Sequence, residues 1–373
     1  MEKLIVKNFG PIKQAEIELA KYVLFIGDTS TGKSVLAKLI LIFRDFANIL
    51  KNDVTHFDHE KELNLKVELQ KYNIDFDIED SVFEYYDKFL KLKIVEGKID
   101  LIEDNYIKVK VQDLVTEGTY SKDELRKIFL QIGVKGKAVY FPPERILTSI
   151  IGSSIFGLLA NDVALPNCFK YFAAKYETAR KHKINKSFED FGFDYSFENN
   201  EEQIQKANHK FQLKKASSGI QSLLPLLLVF DYELDKEFSH PDYSFLIEEP
   251  ELNLYPIKQK KLVDYFVKKI QNTHHKLIIT THSPYIISAV DTLILAKNTF
   301  NEHPDLKEEI SSIIPESNWI NYDEICVYEV RDDGKVYSIK NDDFKSIDTN
   351  IIDSVSDIIS EEFNKLTDLR YAH

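Results

Sequence analysis

Two cysteines, Cys168 and Cys326, are too few in 373 residues for a disulfide framework or a cysteine zinc cluster. A reducing, cytoplasmic setting is therefore expected. Glycine is scarce too: 12 residues, about half the usual share of roughly 7%, so any place where glycines gather stands out. Long apolar runs are missing. The longest charge-free stretch, Ile146 to Asn161, carries polar residues and two glycines and falls short of the roughly 18 apolar residues of a membrane span, so no membrane partner is expected. Met1 is followed at once by charged residues and a strand-like segment, which is not the pattern of a signal peptide. Basic charge is also in deficit. A net charge of −13 excludes a strongly basic nucleic-acid coat, though not a local basic face. One cluster, Lys175, Arg180, Lys181, Lys183 and Lys186, reads as a solvated helix face.

What is present is a globular composition, 43% hydrophobic and 29% charged, with length for one large or two modest domains. The opening alternates like a hairpin, with Leu4-Ile5-Val6, a turn at Gly10-Pro11, then Ile12, Ala15, Ile17 and Leu19. Tyr22 to Ile26 reads as a buried strand, 27–34 as a loop rich in Gly, Ser and Thr, and Val35 to Phe43 as a helix. Residues from about 52 to 135 read as a mixed α/β insertion. Its expected strands are Leu63 to Leu69 and Tyr106 to Val111, and a helix runs from Ser121 to Gln131 behind a Ser121/Glu124 capping box. Ala138 to Phe141 is a short strand stopped by Pro142-Pro143, and the pattern from Ile146 to about Lys186 is helical. No heptad series persists, so no long coiled coil is expected. The last third alternates: helix Ser222 to Phe230, strand Tyr243 to Ile247, helix Pro256 to Ile270, strand Lys276 to Thr281, and a helix starting at Pro284. That alternation is the grammar of an open α/β sheet.

Gly27-Asp28-Thr29-Ser30-Thr31-Gly32-Lys33-Ser34 matches G-x-x-x-x-G-K-[ST], the phosphate-binding P-loop. The chemistry requires these types: inward-pointing backbone amides and a helix N-terminus for the phosphates, Lys33 for the β- and γ-phosphates, and Ser34 as a Mg²⁺ ligand. Tyr243 to Ile247 runs into Glu248-Glu249-Pro250. Beside a P-loop these carboxylates acquire roles, Glu248 toward Mg²⁺ and Glu249 as the base for the attacking water. His282 follows the next strand, at the carboxyl edge where an open α/β sheet places its ligands. Ser217-Ser218-Gly219-Ile220-Gln221 starts a helix and offers a second anion-friendly amide cluster.

These four motifs in this order resemble the ABC-type ATPases, in particular the RecF, SMC and OLD-like branch. The likeness covers residues 3–50 and about 136–298 well and 52–135 loosely. Leu4 to Ile12, Tyr140-Phe141-Pro142-Pro143-Glu144-Arg145 and Glu249 to Pro256 also carry it. The resemblance implies an α/β, ABC-type P-loop ATPase head over 1–373, with an N-terminal antiparallel β portion and a short helical lobe at 146–215. A hairpin and helix over 299–373 would complete the head. It implies that Ser218, Gly219 and Gln221 belong to the signature sequence, touching the γ-phosphate held by a second copy. It implies ATP and Mg²⁺ as cofactors, and hydrolysis by Lys33, Glu249 and His282. The loop departs from many relatives in having Asp28-Thr29-Ser30-Thr31 where they have Pro-Asn-Gly-Ser. Ile220 replaces a signature glycine, and Tyr255 stands where histidine is common. No Q-loop glutamine is evident near Tyr140; Gln131 fits poorly, and the resemblance leaves open that Arg145 serves that region in a different way.

Three roles are implied: an ATPase subunit of a bacterial antiphage defence complex, resembling those of Septu, PARIS or retron modules and acting with a separate nuclease or toxin effector; a RecF-like DNA repair ATPase; or an ATP-assembled scaffold with negligible turnover. Any binding of DNA is expected to be weak. A nuclease site is not recognised, because Asp332-Asp333 and Asp342-Asp343 lack the required spacing, and Val330 to Ile339 reads as a hairpin turning at Asp333-Gly334. An amphipathic helix is expected from Ser354 to Leu369.

Overall fold

Tyr22–Ile26 is apolar throughout, a composition suited to a strand covered on both faces, and it lies inside the main sheet. The computed structural model describes residues 2–52, 64–87, 90–104, 136–151, 165–235, 242–348 and 354–371. In chain order the elements begin β1 (Glu2–Phe9), β2 (Ile12–Leu19), β3 (Tyr22–Ile26), α1 (Lys33–Asn52), α2 (Leu65–Lys71), β4 (Val82–Tyr86), β5 (Leu90–Val95), β6 (Lys98–Asp104) and β7 (Gly136–Phe141). A 3-10 turn at Pro143–Arg145 leads to α3 (Ile146–Ile151) and α4 (Asn167–His182). Next come β8 (Asn185–Phe188), β9 (Phe193–Glu198), β10 (Glu201–Lys206), β11 (His209–Gln212) and α5 (Ser218–Leu234). Then follow β12 (Asp242–Glu248), α6 (Pro256–Ile270), β13 (Lys276–Thr281), α7 (Pro284–Glu302), α8 (Lys307–Ile313), β14 (Ile325–Val330), β15 (Val336–Ser338) and α9 (Ser354–Tyr371).

The main sheet has the order β15-β14-β3-β13-β12-β7. All of its pairings are parallel except the β14–β15 hairpin, whose turn places Gly334 at φ +78°. Strand alternation divides the core in two. Tyr22, Leu24 and Ile26 of β3 face the larger cluster under α5, α6 and α7, whereas Val23 and Phe25 face α1. On that second side α1 is sandwiched between the main sheet and a five-stranded antiparallel sheet, β2-β1-β4-β5-β6. Leu36, Ala37, Leu39 to Phe43 and Phe46 of α1 are accordingly all buried. The insertion is thus no separate unit, because β4 pairs directly with β1.

Two expectations need correcting, and four others fall outside the described residues. The strand expected at 63–69 is α2: Asn64 caps it by accepting from the Val67 amide at 3.2 Å. Leu65 and Leu69, four apart, are buried while Val67 is exposed, so the period is helical and not two. In the lobe at 146–215 the described helices are α3 and α4; after His182, β8 to β11 form a four-stranded antiparallel sheet, order β11-β10-β9-β8, where a helical lobe was expected. The strand at 106–111, the Ser121/Glu124 capping box, the helix 121–131 and Gln131 lie outside the described residues. Among the described helices the longest, α1, has 20 residues, and none is long and apolar enough to cross a membrane.

A buried polar knot joins the sheets. Arg44 of α1 donates to Glu2 through Nε at 2.6 Å and Nη2 at 3.1 Å, and through Nη1 to Ser244 Oγ at 3.1 Å. Tyr85 donates to Glu2 at 2.8 Å, and Lys276 completes the charge balance. Burial alone would raise the Glu2 carboxyl, but Arg44 and Lys276 outweigh it and bring it from 4.5 to about 2. Glu2→Gln is expected to cost about 3 kcal/mol at neutral pH, since it strands a buried guanidinium. The folded pKa is depressed, so the contribution is present above the unfolded carboxylate range and fades as pH falls toward 2. Urea denaturation from pH 7 down to 3 should therefore show the gap between wild type and variant narrowing; a constant gap would contradict this origin.

Candidate active site

Register alone assembles the site. Ile26 of β3 pairs with Thr281 of β13, and Glu248 of β12 pairs with Thr280. In a parallel sheet the ends of these three strands are therefore level, and the loops that leave them share one edge.

From β3 the chain enters 27–34. Gly27 has φ +150°, and a Cβ there would lie 2.2 Å from the Val330 carbonyl oxygen; Gly32 has φ +106°, with a Cβ 2.4 Å from Ile12 Cδ1. Both positions require glycine. Ser30 is itself left-handed at φ +64°, so the loop makes this turn at a steric cost. Asp28 braces it, its carboxylate accepting from the Thr29 amide at 2.6 Å and its carbonyl from Thr31 Oγ1 at 2.9 Å. Lys33, the first residue of α1, is buried and donates to the carbonyls of Gly27 at 2.9 Å and Asp28 at 2.5 Å. Burial lowers its pKa against the opposing pull of Glu249, Asp28, Glu251 and Glu248.

Glu248 ends β12 with its side chain buried. Burial pushes its carboxyl up, and Lys38, Ser34 and Tyr140 act the other way. Lys38 Nζ stands 3.3 Å from Oε1, off the hydrogen-bonding direction, and Oε1 receives no hydrogen bond. A buried carboxylate oxygen without a donor, beside the Ser34 hydroxyl, is a hard-oxygen pair that suits Mg²⁺, which binds through few protein ligands and keeps several waters. Among the described residues no group of three or more His, Cys, Asp and Glu forms a metal cage.

Glu249 is left-handed at φ +44°, its amide donating to the Thr280 carbonyl at 2.9 Å. Its Oε1 lies 3.4 Å from His282 Nε2, both side chains partly open to solvent. Glu251 supports this pair from beneath, accepting from Thr281 Oγ1 at 2.7 Å and from the His282 amide at 2.8 Å. Ser283 then caps α7, accepting from the Tyr285 amide at 3.2 Å. Arg145 is fully buried, with Nη1 donating to the carbonyl of Glu248 at 2.9 Å and Nη2 to that of Glu249 at 2.8 Å. The structure thus brings the P-loop, Glu248, Glu249 and His282 to one edge of the main sheet.

Ser218 lies exposed at the start of α5. Gly219 abuts the chain four residues after Glu249, where an added Cβ would come within 2.9 Å of the Asn253 carbonyl oxygen. Gln221 is turned inward: its Nε2 donates to Lys214 O at 3.0 Å and Leu213 O at 3.3 Å. The sequence motifs assign no role in the site to Lys38, Tyr140 or Glu251, although the last two lie in segments that carry the family likeness. Lys38 had a signal, lying four residues after Ser34 on one helix face.

A family model described as "AAA ATPase domain" matches residues 1–136 and 161–287. Among solved structures, the chain is similar to an SMC head bound to the C-winged helix domain of ScpA, with 15% identity, a TM-score of 0.38, and coverage of 90% of this chain and 96% of that one. A Pyrococcus furiosus SMC head with an extended coiled coil, bound to the C-terminal domain of ScpA, shares 14% identity at TM-score 0.36, covering 97% and 99%. The SMC head domain from Thermotoga maritima shares 13% at TM-score 0.36, covering 77% and 90%. No curated protein matches the chain significantly.

Proposed function

Because the chain belongs to the AAA ATPase domain family, we propose that it binds ATP with Mg²⁺ at 27–34, hydrolyses it, and closes on a second copy of itself when ATP is bound. The observation that carries this reading is the convergence of Lys33, Ser34, Glu248, Glu249 and His282 at the level ends of β3, β12 and β13. Lys33, now bonded to carbonyls of its own loop, would exchange them for phosphate oxygens. Backbone amides of the loop, with the N-terminus of α1, would hold the same oxygens. Ser34 and Glu248 would hold Mg²⁺, which supplies charge neutralisation on the phosphates. Glu249 would take the proton of the attacking water at its carboxylate, with His282 Nε2 as the neighbouring polar group. Phosphate release should require Mg²⁺, cease with EDTA and return on adding the metal back. ATP-dependent assembly without phosphate release would favour the scaffold reading instead.

The exposed Ser218 at the start of α5, with the half-buried Gly219 after it, supports a surface that a second copy's ATP meets. The biological setting we favour is the sensor or regulatory subunit of a bacterial antiphage defence complex, working with a separately encoded nuclease or toxin. It is supported by the motif wording. The basic cluster gives little support to a DNA-repair role. Lys175 pairs with Glu233, Arg180 with Glu202, Lys183 with Asp235 and Lys186 with Asp231. Duplex DNA binding by the isolated protein is therefore expected to be weak and lost by roughly 200 mM salt. Tight, ATP-enhanced binding in a fluorescence titration at that salt would favour the RecF-like alternative.

A further inference from the structure

Arg145 directs its guanidinium at backbone and not at any carboxylate. Besides the carbonyls of Glu248 and Glu249, Nη1 reaches that of Pro142 at 3.3 Å and Nη2 that of Pro250 at 3.3 Å. The side chain is 0% exposed, and burial draws its pKa down to about 10 against the nearby charges of Glu251 and Glu249. Three of its four acceptors are consecutive, residues 248 to 250, and the middle one is the left-handed Glu249. A non-glycine residue stays in that conformation only where its surroundings over-determine it, and such strain concentrates where a side chain must be aimed.

We propose that Arg145 is a positioning residue for hydrolysis: by gripping the carbonyls on both sides of Glu249 it fixes the turn that aims the Glu249 carboxylate beside His282. The proposal rests on the ATPase reading above. The grip is itself anchored. Thr148 Oγ1 donates to the Arg145 carbonyl at 2.7 Å, and Ser149, the next residue of α3, donates through Oγ to the Gln221 carbonyl at 2.7 Å. Arg145, α3 and the first turn of α5 thus form one strut, running from the Glu249 turn to the helix that begins at Ser218. Only arginine suits the role, because a planar fork with five donors serves several carbonyls at once and an ammonium is a point charge.

The test is a double-mutant cycle in single-turnover hydrolysis. Arg145→Lys should keep ATP affinity within about twofold while the rate falls about 10²-fold, the size of effect that misplacing a reacting group produces. In a Glu249→Gln background the same change should cost less than about twofold more, because a residue acting through Glu249 has nothing left to aim. A fall that multiplies with Glu249→Gln, or an Arg145→Lys rate near wild type, would overturn the proposal. Should Arg145→Lys not fold, Thr148→Val decides: it frees the Arg145 carbonyl, and the rate should drop several-fold with affinity intact; an unchanged rate overturns the proposal. No hydrolysis by the unmodified protein overturns the ATPase reading and the proposal with it, whereas normal hydrolysis beside a normal Arg145→Lys overturns the proposal alone.

Discussion

Glu249→Gln is expected to bind ATP as well as wild type while phosphate release falls by at least about 10²-fold. The amide matches the carboxylate in size, so the left-handed turn, the amide bond to Thr280 and the grip of Arg145 all persist. What disappears is the oxygen able to accept a proton 3.4 Å from His282 Nε2. Glu248 cannot take over, since its side chain is buried, faces Lys38 at 3.3 Å and is the carboxylate proposed to hold Mg²⁺. Rapid-quench measurement of labelled phosphate checks this. A rate within about threefold of wild type would move the base elsewhere.

Lys33→Ala is expected to act one step earlier. Its ammonium is the cation at the centre of the loop and the counter-charge to Asp28, Glu248, Glu249 and Glu251. Without it the phosphates would meet four carboxylates and no balancing side chain from the loop. Charge-assisted hydrogen bonds of this kind make the expected loss of ATP affinity at least about 10²-fold. Gly27 and Gly32 keep the loop geometry, so the melting temperature without nucleotide should change little. Calorimetry showing affinity within about twofold of wild type would remove the loop from its assigned role.

Much of this site was legible because its parts lie where chain direction and hydrophobic period leave little freedom. α6 and β13 have the bounds that the sequence pattern predicts, and Tyr22–Ile26 was readable as a two-faced strand. Legibility failed where the period was thin or the partner was backbone. In β10 only Ile204 is buried, so that strand left little mark, although the alternation of Phe193, Tyr195 and Phe197 in β9 is a period-two signal for the four-stranded sheet of the lobe. In α2 the run from Leu65 to Leu69 satisfies a period of two as well as four, and only the exposure of Val67 separates them. Arg145 and Glu251 lie in segments that carry the family likeness, but their partners, backbone carbonyls for Arg145 and the Thr281 hydroxyl and His282 amide for Glu251, follow from the fold and not from the motif. The inward turn of Gln221 likewise depends on the path of Leu213 and Lys214.

If, as proposed, one copy's P-loop faces another's Ser218 across bound ATP, inter-chain cross-linking will detect it whatever the resting oligomeric state. Thr29 and Ser218 are both exposed, while Cys168 is buried and Cys326 half-buried. In a Glu249→Gln protein, Thr29→Cys and Ser218→Cys on separate chains should become linked with ATP and Mg²⁺ and remain apart with either omitted. Adding Lys33→Ala should abolish the link. A link that forms equally without nucleotide, or none under any condition, would contradict a site completed by a second copy.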